Sequence, residues 1–201
     1  NPAIFDDAKL AWINASYLKE QGAPAFVDAL LPYLQNVGLT RGGSLVLSKD
    51  GSPVATPPAS PEAVAADIAS NRPWYEAIYP LVAERAKTMA EVVPMTAYLF
   101  SGDTVALDAD SVEKCLHVDG AGEVLALALD LLASPALQWE AAAVEAALRT
   151  IPEKLGVKPK LVFQALRVAV CGNMVSPPLF ESLELLGREH TLARIRRAQD
   201  Q

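Results

Sequence analysis

Cysteine and histidine are scarce in this chain of 201 residues, which has only Cys115, Cys171, His117 and His190. Neither cysteine belongs to a CxxC pair, so a disulfide framework is excluded and a reducing compartment fits. A structural zinc, which prefers four ligands in tight paired spacing, finds too few. Long apolar runs are missing too. The longest candidate, VLALALDLLASPAL, is broken by Asp130 and Pro135 and falls short of the roughly 18 residues a membrane span needs. The segment NPAIFDDAKLAWINASYLKE lacks the basic-then-apolar order and the small-residue cleavage site of a signal peptide. The expectation is a cytoplasmic protein with no metal and no membrane partner.

What is present is apolar content: 51% of the residues are hydrophobic and 20% charged, enough to bury a substantial core in one large or two small domains. The net charge of −7 argues at first against a polyanionic partner, but it is unevenly spread. Residues 1–150 carry 9 basic and 19 acidic side chains, whereas residues 151–201 carry 8 and 5. A basic end on an acidic chain fits either a local anionic partner or an ordinary solvated helix.

The pattern is helical almost throughout. FDDAKLAWINASYLKEQG is expected to form a helix that stops at Gly22, and AFVDALLPYLQNVG a second that starts after Pro24 and stops at Gly38. Residues 40–60, TRGGSLVLSKDGSPVATPPAS, read as a long irregular loop with a short extended piece at LVLS. Helical periodicity resumes at Pro61, and WYEAIYPLVAERAKTMAEVV reads as one helix kinked at Pro80. A break near Ser101 and Gly102 separates it from a further series of helical segments, each punctuated by Gly or Pro. These signs predict an all-α chain of two helical subdomains, 1–105 and 106–201, with no heptad array or solenoid repeat.

Some polar positions do not fit a plain amphipathic pattern. In the expected Trp74–Val93 helix, Arg85 falls inside an apolar stripe of Ile78, Val82, Met89 and Val93. A cation there must snorkel, pair with an internal carboxylate, or point into a concavity that receives a ligand. Lys160, Gln164, Arg167 and Cys171 stand at i, i+4, i+7 and i+11, a narrow polar line on an otherwise apolar helix. Cys171 has no recognisable activating partner and is expected to be a packed thiol. The line runs into the loop GNMVSPP. There Gly172 is suited to end the helix at positive φ, and Ser176 with two prolines to cap and start the next, striped by Leu179, Leu183 and Leu186. Asn173 and Ser176 are then held at fixed positions beside Arg167. In the last helix Leu192 and Ile195 share one side, and His190, Arg194 and Arg197 the other, facing phosphates or merely water.

At these residues the sequence resembles the C-terminal end of bacterial-type glutamyl-tRNA synthetases. QALRVAVCG, SPPLFE and LLGRE match that family's Q-P-L-R-x-A-L-T-G, P-x-L-F-E and L-L-G-K-E-R, in order. FDDAKLAWINASYL and LVAERAKTMAE resemble its F-D-x-x-K-L-x-W-M-N-x-x-Y-I and L-x-x-E-R-x-K-T-L-x-E. Ala165, Cys171 and Ala15 stand where the family usually has Pro, Thr and Gly. Neither the HIGH-like nor the KMSKS-like ATP motif occurs, so the chain is expected to be a fragment without the catalytic half and inactive on its own.

The resemblance implies an anticodon-binding region of the α-helix cage type. By this resemblance the parent is a class I ligase that attaches glutamate to tRNA(Glu) using ATP and Mg2+, and the fragment needs no cofactor. It implies anticodon contacts from Arg85, Arg167, Ser176 and Leu179; loop geometry adds Asn173. Lys160, Gln164, Arg194 and Arg197 are candidates for contact with the RNA backbone. Cytosine's Watson–Crick edge offers two acceptors to an arginine fork where guanine presents two donors, so Arg85 would favour a glutamate over a glutamine anticodon. The alternative is a helical protein–protein adaptor with no RNA role. A monomer is expected.

Overall fold

In a computed structural model, residues 7–47 and 53–201 are described, and helices dominate. Two units divide the chain, Asn1–Phe100 and Ser101–Gln201.

In the first unit α1 (Asp7–Glu20) leads into α2 (Gly22–Val37). Gly38 ends α2 at φ 68°, as its place after the last periodic residue predicts. Its carbonyl accepts the Ala59 N–H at 2.8 Å, and a Cβ there would lie 2.7 Å from the Pro58 side chain, so only glycine fits. The buried Phe26, Leu30 and Leu34 recur one turn apart along α2, and α3 (Pro61–Ser70), α4 (Arg72–Glu76), α5 (Tyr79–Val82) and α6 (Met89–Phe100) pack around that stripe. Ser60 caps α3, its hydroxyl accepting from Ala63 N–H at 3.2 Å.

Two expectations need correction here. The 40–60 segment is not wholly irregular: β1 (Ser44–Leu47) pairs antiparallel with β2 (Pro53–Thr56), Leu45 opposite Ala55. The extended piece expected at LVLS falls on β1 as far as Leu47, and its short partner PVAT is obscured in the sequence by flanking Pro and Ser; residues 48–52 lie outside the described residues. Nor do residues 74–93 form one kinked helix. Pro73 and Pro80 sit in the first turns of α4 and α5, and the chain turns through residues 83–88 before α6 begins. Glu91 accepts the Lys87 N–H at 2.9 Å at the start of α6. Thr88-Met-Ala-Glu91 has the spacing of a helix-start signal, a boundary that the hydrophobic period runs across without marking.

The second unit contains α7 (Ala109–Cys115), α8 (Ala121–Ala133), α9 (Ala141–Leu148), α10 (Ile151–Leu155), α11 (Pro159–Cys171), α12 (Leu179–Leu186) and α13 (Arg188–Gln199). Asp108 caps α7 by accepting from the Ser111 N–H at 2.9 Å and its hydroxyl at 2.6 Å. The core forms where α8, through Val124, Leu125, Ala128 and Leu132, meets α11 and α13; α12 closes it against α9 and α13. With Ala165 in place of proline, α11 runs unbroken and buries Val162, Ala165, Leu166 and Ala169. Among the described residues, no helix is long and apolar enough to cross a membrane.

Candidate functional site

The candidate residues divide between the two units. In the first, Arg85 lies in the turn between α5 and α6 and is exposed. The apolar stripe that placed it in a buried row assumed a continuous helix; with the helix broken, the side chain leaves that row. Arg85 takes part in none of the ion pairs among the described residues, so of the options for a cation there, an internal carboxylate pair is not the one adopted.

In the second unit, the loop between α11 and α12 gathers Arg167, Asn173, Ser176 and Leu179. Gly172 ends α11 at φ 88°. Its carbonyl accepts the Asp108 N–H at 2.8 Å, and a Cβ on it would lie 2.2 Å from the Ala106 carbonyl oxygen. The turn is thereby pinned against the chain just before α7. Arg167, half-buried on α11, then holds the far side of the loop. Its Nη1 donates to the carbonyls of Ser176 at 3.1 Å and Pro177 at 2.8 Å, and to the Ser176 hydroxyl. Its Nε and Nη2 have no protein partner among the described residues, so the bidentate edge of the guanidinium remains available.

Ser176 therefore braces the loop and does not cap α12 as the sequence suggested. The residue that precedes α12 is Pro178, with no side-chain cap, because Arg167 draws the Ser176 hydroxyl back toward α11. Asn173 is exposed and its Oδ1 accepts the Val175 N–H at 2.9 Å, a local turn that leaves its amide nitrogen outward. Leu179 departs from the expected surface role. It is 4% exposed and belongs to the core beneath the loop, since position 179 starts the inward stripe of α12. The exposed apolar side chain is instead Val175, 88% accessible at the loop tip, which sequence periodicity had no means of singling out.

Lys160 is exposed and Gln164 half-buried on α11, so the polar line passes from solvent at Lys160 to the interior at Cys171. Arg197 is exposed on α13. Arg194 is a correction. It is 1% exposed, and its guanidinium donates to the Gly102 carbonyl at 2.9 Å, the Val170 carbonyl at 2.7 Å and the Ser101 carbonyl, so it cannot reach a phosphate. Val170 lies in the last turn of α11, where carbonyls lack intrahelical donors, and a buried arginine supplies one. His190 contacts Asp103 at 2.8 Å, and this contact holds the Asp103 carboxyl below its ordinary range.

Cys171 is buried, and desolvation pushes its thiol up to about 11 against the opposing pull of Ser176, Arg167 and Arg194; desolvation also raises the Cys115 thiol. A packed thiol with a raised pKa is a poor nucleophile. Both cysteines should resist a thiol reagent at pH 8 in the native protein and react fully in denaturant; rapid native labelling of Cys171 would contradict the packing. The stability contributed by keeping this thiol protonated is whole below pH 9, its ordinary value, and declines between there and about 11.

The sequence model for the anticodon binding domain matches residues 25–199. Among curated relatives, glutamate–tRNA ligases of Saccharopolyspora erythraea and Kineococcus radiotolerans are 39% and 40% identical over 197 and 200 residues. Each alignment covers 98% of this chain and 34% of the relative, so the chain spans about a third of their length. Among solved structures, a glutamate tRNA ligase from Elizabethkingia meningosepticum superposes with a TM-score of 0.72 at 17% identity, covering 98% of this chain and 32% of the other. The Elizabethkingia anophelis glutamate-tRNA synthetase gives 0.66 at 19%, over the same shares. At these identities the likeness is one of fold, and it is the helical fold described above.

Proposed function

Because this chain belongs to the anticodon binding domain family, we infer that it grips the anticodon of a tRNA, with Arg167 in the second unit and Arg85 in the first as the base-reading side chains. The observation that carries the reading is the split use of Arg167. One nitrogen fixes the loop, and the remaining Nε and Nη2, without a protein partner among the described residues, form a planar pair of donors, the complement of two acceptors on an unstacked base. Asn173 offers an exposed amide beside it, and the half-buried Ser176 orients the arginine more than it reads a base. Lys160 and Arg197 supply positive charge for the backbone. Leu179 supports the loop from beneath.

The parent's chemistry is part of the same proposal. Relatives of which this chain spans a third are glutamate–tRNA ligases, and the ATP motifs of such enzymes do not occur in this sequence. The longer protein would activate glutamate with ATP and Mg2+ and pass it to tRNA(Glu), while this chain, monomeric and cytoplasmic, would select the tRNA.

A binding titration against glutamate and glutamine tRNAs at two salt concentrations tests this reading. The glutamate tRNA should bind more tightly, and changing its last anticodon base from cytosine to guanine should remove the preference. In the full-length parent, Arg85→Gln should lower the preference for glutamate tRNA on the order of 10-fold to 100-fold, the scale of one bidentate base contact. Melting should be little changed, since Arg85 is exposed. Equal binding of both tRNAs, indifferent to the anticodon, would overturn the reading and leave the adaptor role as the better description.

A further inference from the structure

Next to the loop is a cationic cluster that no motif marks. Phe163 on α11 and Phe180 on α12 meet edge to face with ring centroids 5.6 Å apart. The Arg149 guanidinium carbon lies over both rings, 5.7 Å from the Phe163 centroid and 5.9 Å from the Phe180 centroid. Glu145 fixes it from the side: its Oε1 accepts from Arg149 Nε at 2.7 Å and lies 2.5 Å from Nη2.

Two rings and one carboxylate oxygen thus hold a long, entropically costly side chain in place, although it is 62% exposed. Nη1 remains without a protein partner among the described residues. A surface arginine whose only purpose was an ion pair one helical turn away would not need to lie on two phenylalanines, and such a pair contributes little.

The position gives this arrangement a use. Phe163 stands one turn before Arg167 on α11, so the Arg149 cluster adjoins the side chain proposed to read a base, and Phe180 follows Ser176 by four residues. Lys160 is also exposed on α11, and the segment 151–201 that carries α11 and α12 holds more basic than acidic residues.

We propose that Arg149, held by Phe163, Phe180 and Glu145, is a backbone contact that grips a phosphate of the RNA strand whose base Arg167 reads. This rests on the anticodon-reading proposal above. Cation–π contact with the rings and the Glu145 ion pair pre-orient the guanidinium, and the phosphate binds through Nη1 with no sequence preference. Glu145 moderates the attraction by sharing the charge.

Titration of this chain with an anticodon stem-loop RNA across a salt series tests the proposal, with melting recorded for every variant. Arg149→Gln should weaken binding several-fold for all anticodons alike, and lower the slope of log affinity against log salt by about 0.7 to 1, the share of one phosphate. Arg149→Lys should keep most of that slope. Arg167→Gln, run in parallel, should instead reduce the dependence on anticodon base, with the share read by Arg85 retained. If Arg149→Gln matches the wild type in affinity and slope while Arg167→Gln lowers base preference, the Arg149 assignment falls and the reading stands. If affinity falls with the melting point but the slope holds, Arg149 is structural, and the assignment also falls. If the unmodified chain shows no anticodon dependence, the reading itself fails and takes this assignment with it.

Discussion

Arg194→Met is expected to destabilise the second unit by about 3 kcal/mol or more, the low end of the sum over three buried acceptors left without a donor at about 1–3 kcal/mol each. Methionine approximates the volume but supplies none of the N–H groups that the carbonyls of Ser101, Gly102 and Val170 receive. For a unit of this size each kcal/mol is worth about 4–8 °C of melting temperature, so a fall of more than ten degrees follows. Thermal unfolding followed by circular dichroism measures it. If Arg194 served a phosphate, its loss would weaken RNA binding at an unchanged melting point, and that result would return it to the interface.

Gly172→Ala is the second large effect. An L-residue forced to φ 88° costs about 1–2 kcal/mol, and a Cβ at 2.2 Å from the Ala106 oxygen requires backbone to move, adding about 1–3 kcal/mol. The loss should be about 2–5 kcal/mol, and it has a functional side that Arg194→Met lacks. To relieve the overlap the turn must pull away from the segment before α7, breaking the bond from Asp108 N–H to the Gly172 carbonyl and shifting every residue up to Pro178. Affinity for tRNA should therefore fall further than the loss of folded protein accounts for, below the melting transition. A variant that is destabilised yet binds normally once folded would show that the loop's position does not matter to recognition.

Helix content and the ends at Gly38 and Gly172 are legible from the sequence because glycine and apolar period are local signals. The break between α5 and α6 is not. Ile78, Val82, Met89 and Val93 keep a helical spacing by number alone, and only the Thr88–Glu91 spacing hints that the count restarts. The same error misplaced Arg85, whose oddity in a buried row disappears once it sits in a turn, so the family resemblance is what keeps it in view. Arg194 was misread for a related reason. Helical phase separates Leu192 and Ile195 from residue 194, but α13 is covered on more than one side, and a guanidinium can be buried wherever several carbonyls converge. Arg167 with the loop was readable, since a polar line on an apolar helix ran into a Gly/Pro turn. The cluster around Arg149 was not, because its parts come from α9, α11 and α12 and share no sequence window.

On the proposed reading Arg167 joins two tasks in one side chain, and this limits which residues could stand there. Nη1 is taken up by the oxygens of Ser176 and Pro177, while Nε and Nη2 have no protein partner among the described residues. A lysine carries one ammonium and must choose: turned toward the loop it would hold Ser176 and Pro177 and leave no donor for a base, turned away it would offer a donor with the loop no longer held. A neutral hydrogen-bonding residue is too short to span both. If position 167 reads a base as proposed, it is a hinge pin that also carries the key, so that the loop's shape and the choice of RNA cannot be tuned separately at this residue.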